Sequence, residues 1–195
     1  MKQPFPLLLG FVLLCLVACH QAPESPKPMG YFRIDLPKPQ YKTADTTLPF
    51  TFEQSEYSQL VITPQPHGDI WVDMEYPSLN ASIKMTCMHI SSADSLRKLI
   101  YSEEKMVKFH YQKADDVEYS VVKDPDAKLW GQIYDIKGKE VATPFQFWVT
   151  DSAQYFLRAT LYFNFTPNND SLQPVIEYLR NDAMHFINTF EWKDA

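Results

Sequence analysis

The order of periodicities along the chain predicts an α+β fold: an antiparallel sheet, or sheets, carrying two main helices, in the order strands, helix, strands, helix. Three observations predict it. Short alternating runs bounded by proline and glycine fill the stretch from 49 to 89. Apolar residues then recur at helical spacing over about 92–114 and again over 170–190. Between those helices lies a second block of alternating runs, and strands punctuated by a few helices favour helices laid on an antiparallel sheet.

The first strands are expected at 49–53, 57–63, Ile70–Tyr76 and Ala81–His89, with breaks at Pro64, Pro66, Gly68 and Pro77. In the third, Ile70, Val72, Met74 and Tyr76 share one face and Trp71 takes the other. Ser91 or Ser92 caps the first helix, and Asp94 adds a negative charge in its first turn. Its apolar stripe is Leu96, Leu99, Ile100, Val107, Tyr111 and Ala114; Arg97, Lys98, Glu104, Lys105 and Lys108 face away. The second block is expected at 118–123, 129–136, 144–150 and 154–164, with hairpin turns at Lys137-Gly138 and Asp151-Ser152. The runs "FQFWV" and "YFL" are apolar on both faces, as in central strands covered from both sides. The last helix starts near Asp170, with a stripe of Leu172, Val175, Ile176, Leu179, Ala183, Phe186, Ile187 and Phe190. Pro174 is expected in its first turn, where a missing N–H costs nothing. The strands–helix, strands–helix order also hints at two similar halves, without any repeat in the sequence to support it.

The start of the chain has a different character. Lys2 precedes an apolar run from Phe5 to Val17, too short for the ~20 residues that span a bilayer but suited to a secretory signal. It ends in Leu16-Val17-Ala18-Cys19, similar to a bacterial lipobox. Cleavage between Ala18 and Cys19, with a diacylglyceryl thioether on Cys19, is the expectation; Cys15 follows a leucine and does not fit. The expected organisation is a signal peptide over 1–18, a proline-rich tether over 19–29 and one globular α+β domain over 30–195. At ~3.1 Å per residue, His20 to Pro28 would reach roughly 28 Å from the membrane. Two or three acyl chains make such an anchor effectively permanent where one would not.

A sticky cluster follows the tether. Phe32, Ile34 and Leu36 alternate with Tyr31, Arg33 and Asp35, and Pro28, Pro37 and Pro39 bracket the segment. Two readings stand: a strap docked over the core, or a peptide that adds a strand to a partner. Tyr31, Phe32 and Arg33 are therefore candidate partner contacts.

Composition excludes several classes. The chain is 45% hydrophobic and 14% aromatic, enough for a sizeable core. Its net charge of −6 and lack of a basic face argue against nucleic acid. With Cys15 in the signal and Cys19 acylated, Cys87 stands alone and no internal disulfide is expected.

The search for chemistry finds little. Only five glycines occur, none in a phosphate loop, and no Gly-x-Ser-x-Gly or His-Glu-x-x-His pattern appears. Cys87 and His89 form the best nucleophile–base pair by type, and Met85-x-Cys87-x-His89 offers soft metal ligands on one strand face. A mixed core strand explains the same residues without chemistry. Asp73 and Glu75 sit beside Trp71 as a paired acid and base, or as the wet side of a sheet. Arg158, on an otherwise buried strand, marks either an internal ion pair or a contact surface. His67, His110 and His185 have no linking spacing. No cofactor is expected.

"GYFRIDLP" (30–37), "PFTFE" (49–53), "YPSLNASI" (76–83) and the stretch from "YDIKGKEVATPFQFWV" to "FINTFEWK" (134–193) resemble the GldD family of gliding-motility lipoproteins of the Bacteroidetes. The resemblance covers nearly the whole mature chain and includes the lipobox. It implies a role in gliding and in type IX secretion as an assembly or stabilising factor, with partners among the other envelope proteins of that apparatus. It attaches no activity, cofactor or catalytic residue, so only acylated Cys19 is carried over. It also draws 31–36 into the folded unit. Surface lipoproteins of that group resemble one another in an acidic run after the cysteine; His20-Gln21-Ala22-Pro23 lacks it. The expectation is therefore a periplasm-facing protein, on the outer membrane sooner than the inner. The alternative is a small-molecule or metal-binding lipoprotein, and a hydrolase using Cys87 and His89 ranks third.

Overall fold

Two antiparallel meanders meet side by side and make one seven-stranded sheet. In a computed structural model of the chain, residues 33–44 and 47–193 are described. They belong to a compact unit that begins at Arg33. The signal segment, Ala18, Cys19, the tether, Tyr31 and Phe32 lie outside the described residues. The fold is α+β, in the predicted order of strands, helix, strands, helix.

The first meander is β4 (Gln59–Pro64), β5 (Ile70–Tyr76) and β6 (Ala81–His89); α1 (Ala93–His110) follows. The second is β7 (Asp116–Asp124), β8 (Leu129–Lys137), β9 (Phe145–Thr150) and β10 (Tyr155–Phe163); α2 (Asn169–Asn188) follows. Short strands β1 (Tyr41–Thr43), β2 (Phe50–Thr51), β3 (Glu53–Ser55) and β11 (Glu191–Trp192) make two small ribbons, β1 with β3 and β11 with β2. The sheet order is β4-β5-β6-β10-β9-β8-β7, so the last strand of each meander, β6 and β10, forms the seam. That seam is a nine-residue ladder from Tyr155 opposite His89 to Phe163 opposite Ala81.

The helices take opposite faces. Phe145, Phe147 and Val149 of β9 join Leu157, Ala159 and Leu161 of β10 beneath α2, whose Val175, Leu179, Ala183 and Phe186 close that core. Trp148 and Phe156, pointing the other way, pack with Val107 of α1 and with Leu96, Leu99 and Ile100. All six residues of β9 are buried, as double apolar character demands. Each fully buried Phe contributes about 1.5–3 kcal/mol of apolar burial. Around α2 the ribbons add Phe50 and Phe52, with Phe52 to Phe186 ring centroids at 4.6 Å and Phe50 to Phe190 at 4.9 Å.

Opposite faces also answer the hint of two similar halves. A twofold axis relating two antiparallel neighbours runs perpendicular to the sheet and keeps each face on its own side. It cannot carry α1 onto α2.

Several boundaries differ from the sequence expectation, each for a physical reason. The single strand expected at 49–53 is two, because Phe50–Thr51 pairs with β11 while Glu53–Ser55 pairs with β1. α1 stops at His110, and Tyr111 caps it instead of continuing the stripe; its side chain is 56% exposed. Lys137-Gly138 is no tight hairpin: the chain buries Val141 and Thr143 before β9 begins. Asn169 holds that loop by donating from Nδ2 to the carbonyls of Gly138 (2.7 Å) and Val141 (2.9 Å). Pro174 lies in the second turn of α2, not the first, since the helix begins at Asn169. There it removes the N–H that would reach the Asp170 carbonyl, and exposure of Asp170 lets water take that role.

Other expectations hold. Ser92 caps α1: its Oγ accepts from the Ser95 N–H, and Ser95 Oγ accepts from the Ser92 N–H, each at 3.1 Å. Ile34 and Leu36 are half-buried against the α2-side core, while Arg33 and Asp35 are exposed and paired with each other at 2.8 Å. Among the described residues the segment joins no ladder, and Ile34 and Leu36 dock it on the core as a strap.

Gly131, in β8, sits close against the backbone of β9. A Cβ there would lie 2.1 Å from the backbone oxygen of Trp148 on β9. Backbone cannot swing aside as a side-chain tip can. Gly131→Ala is expected to cost about 2–3 kcal/mol and to lower Tm by roughly 5–10 °C, read by thermal and urea unfolding.

Candidate functional site

The register of β6 does place Met85, Cys87 and His89 on one face, but that face is the core. Met85 and Cys87 are 1% and 2% exposed beneath α2. Burial, reinforced by the charges of Asp69 and Asp151, pushes the Cys87 thiol up to about 12. At neutral pH it carries no thiolate, the species that attacks substrates and binds metals. His89 sits at the exposed strand end with its ring edge-on to Tyr155, centroids 5.7 Å apart. Among the described residues no group of three or more His, Cys, Asp or Glu side chains is placed to hold a metal.

The opposite face of β5 and β6 is different, because α1 covers only the β8–β10 half. The uncovered half forms one wall of a cleft of about 420 Å³, lined by Trp71, Asp73, Lys84, Arg158 and Tyr162 from the sheet and by Met106 and His110 from α1. Lys84 Nζ lies 3.6 Å from Asp73 Oδ2. Arg158 Nη1 lies 3.3 Å from Glu103 Oε1 and 3.6 Å from Met106 Sδ. Arg158 thus makes the internal pair, and its side chain is still 38% exposed to the cleft. Burial raises the Glu103 carboxyl, and the Arg158 guanidinium works against that shift. His110 Nε2 lies 3.0 Å from both Thr143 Oγ1 and Gln146 Nε2, and desolvation lowers its pKa.

On the α2 side, Asp182 (3% exposed) anchors a polar cluster. Tyr41 Oη donates to Asp182 Oδ1 at 2.8 Å, and Tyr76, Tyr178 and Ser55 lie close to the same carboxylate. Burial raises the Asp182 carboxyl, and the hydrogen bond from Tyr41 only partly offsets it. Tyr41 also stacks on His185 at 3.6 Å, and His185 Nε2 lies 2.7 Å from Glu53 Oε2. The cluster clamps β1 and β3, next to the strap, onto α2. Neither Glu103 nor Asp182 was singled out in the sequence. Both were legible there, as carboxylates inside an apolar helical stripe: Glu103 between Ile100 and Val107, Asp182 between Leu179 and Phe186.

A second cleft, about 480 Å³, opens where β7 and β8 meet α2. It is acidic: Asp115, Glu118, Asp135, Asp170 and Glu177 face Lys137 and Arg180. Arg180 makes a bidentate pair with Asp135, at 2.6 and 2.8 Å. Lys137 bonds Glu118 and approaches Asp116 at 3.8 Å. Every charged partner is a side chain of this chain, an arrangement of solvated ion pairs around a groove.

The family model for "Gliding motility lipoprotein GldD" matches residues 21–192. The chain belongs to the GldD family. Comparison with curated proteins yields no match. Membership associates this GldD-family chain with gliding motility and with a lipoprotein's place in the cell envelope. Among its described residues no helix is long and apolar enough to cross a membrane.

For this GldD-family domain, His110 sets a testable pH dependence. Its folded pKa is depressed below the ordinary 6.5, so between those two values the unfolded chain binds more protons than the folded one. The stabilisation is present above 6.5 and is lost as pH falls through the folded value. Urea unfolding from pH 7.5 down to 5 should show that loss, and His110→Gln should remove this part of the slope while leaving the fall due to other groups.

Proposed function

We propose that this protein is held to the envelope by acyl chains on Cys19, faces the periplasm, and serves gliding motility, type IX secretion or both. It does so without catalysis, as an assembly or stabilising factor for other envelope proteins. The family match carries this reading. Three features of the chain support it. The only free thiol among the described residues is buried in the core. The clefts are lined by ion pairs formed within the chain, and the Thr143 hydroxyl beside His110 is buried. The strap and the Tyr41–Asp182 clamp tie the segment that follows the tether onto α2, so a pull on the anchor reaches the main core directly.

The periplasmic orientation, with the outer membrane favoured, follows from the absence of an acidic run after Cys19. The experiment is complementation of a deletion strain. Wild type and Cys87→Ala should label with an alkyne fatty acid, fractionate with membranes and restore gliding or secretion. Cys19→Ser should neither label nor restore. A Cys19→Ser chain that still labels, or a deletion strain that glides and secretes normally, contradicts the proposal.

A further inference from the structure

The seven-stranded sheet has two edges, and they are built differently. β4 is six residues long and ends in Pro64, which has no N–H to offer a ladder. β7 is nine residues long, holds no proline, and pairs without a bulge from Asp116 opposite Lys137 to Asp124 opposite Leu129. Among the described residues β8 is its only partner. Folded proteins blunt long regular edges with bulges, prolines, short strands or charged side chains. β7 has no bulge and no proline, and its charges, Asp116, Glu118, Lys123 and Asp124, leave the run Tyr119–Val122 uncharged.

Its side chains are equally open. On the α1 side Tyr119 is 69% exposed and Val121 is 72% exposed. They are next-but-one neighbours on one face, the spacing at which an added strand lays its own side chains. Tyr111, which caps α1 on the same side of the sheet, is exposed as well. On the α2 side the edge borders two grooves. One, about 360 Å³, runs along residues 120–124 and has an apolar floor of Leu129, Ile133, Met184 and Ile187. The other is the acidic cleft at Glu118. Strand addition takes affinity from main-chain hydrogen bonds and specificity from pockets for alternate side chains. β7 supplies both.

We propose that β7 is the docking edge for an extended segment of another protein, which adds as an eighth strand. The segment is apolar where it meets Tyr119 and Val121, apolar again over the groove at Val122, and carries Lys or Arg beside Glu118 and Asp116. Charge complementarity selects this occupant over a second copy of the chain. An antiparallel pairing of two β7 edges about Ser120 sets Tyr119 against Val121, which is favourable. It also sets Asp116 against Asp124 at both ends and brings two acidic clefts together. The inference rests on the proposed role as an assembly factor and names the kind of partner that role needs.

The test is site-specific photo-crosslinking in the native envelope. Benzoylphenylalanine replaces Val121 in the full acylated chain, and Val61 on β4 serves as the control position. The adduct from position 121 should map to one segment of a different polypeptide with basic and apolar residues in the described pattern. Glu118→Lys should lower its yield about tenfold, by repelling the basic partner. Proline is placed in turn at Ser120 and Tyr119, in the chain labelled at 121. Adjacent strand residues aim their N–H groups alternately toward β8 and outward, so one of the two removes an outward donor while leaving the domain's Tm close to wild type. That variant should lose the adduct.

A yield no higher than at position 61 overturns the inference. So does an adduct to a second copy, or one indifferent both to Glu118→Lys and to the fold-sparing proline. If these fail while the Cys19 complementation behaves as proposed, the docking edge is wrong and the role as an assembly factor stands.

Discussion

One strand with no wet side governs this structure. Every residue of β9 is buried, so the chain must cover both faces of the sheet there, and two helices of different origin supply the covers. α2 arrives with the ribbons and an aromatic cluster and seals its face broadly. α1 is narrower, with an acid in its stripe, and covers only the half of the other face nearest β9. The open cleft beside Trp71 is a consequence of that unequal cover.

The same constraint explains where charge went underground. Arg158 lies on the α1-facing side of β10, where α1 presents a carboxylate instead of a leucine, and Glu103 meets it there. A buried acid with one long contact to a guanidinium is weak evidence for stability. It does join α1 to β10 at one point. Asp182 is the buried acid under α2, where Tyr41 of β1 donates to it.

Most of the sheet was legible because alternation is a strong local signal. β5 and β6 begin and end where the sequence puts them, and the doubly apolar runs of β9 and β10 mark the centre. What stayed hidden depended on partners far along the chain. Nothing local divides 49–53 into two strands; the division comes from β11, which is 140 residues away. Tyr41–Thr43 carries no strand pattern and is a strand only because Ser55 and its neighbours lie beside it. The length of the β8–β9 connection depends on Asn169, a side chain from the start of α2. Of the candidate site residues, the face shared by Met85, Cys87 and His89 could be read, but not which helix would bury it. β7 looked like any other strand, since being an edge is a property of sheet order that no single segment encodes.

The Cys87 thiol lies in the core beneath α2, while β7 turns its outer side away from the sheet where the strands run out of partners. That contrast is the core of the account, and native-state hydrogen exchange on the soluble domain measures it directly. Amides of β6, β9 and β10 should exchange only through global unfolding, at its full free energy. Along β7, alternate amides should exchange near the unprotected rate, with those bonded to β8 slower. Uniform protection along β7, or early exchange in β9 and β10 ahead of the rest of the sheet, would contradict it.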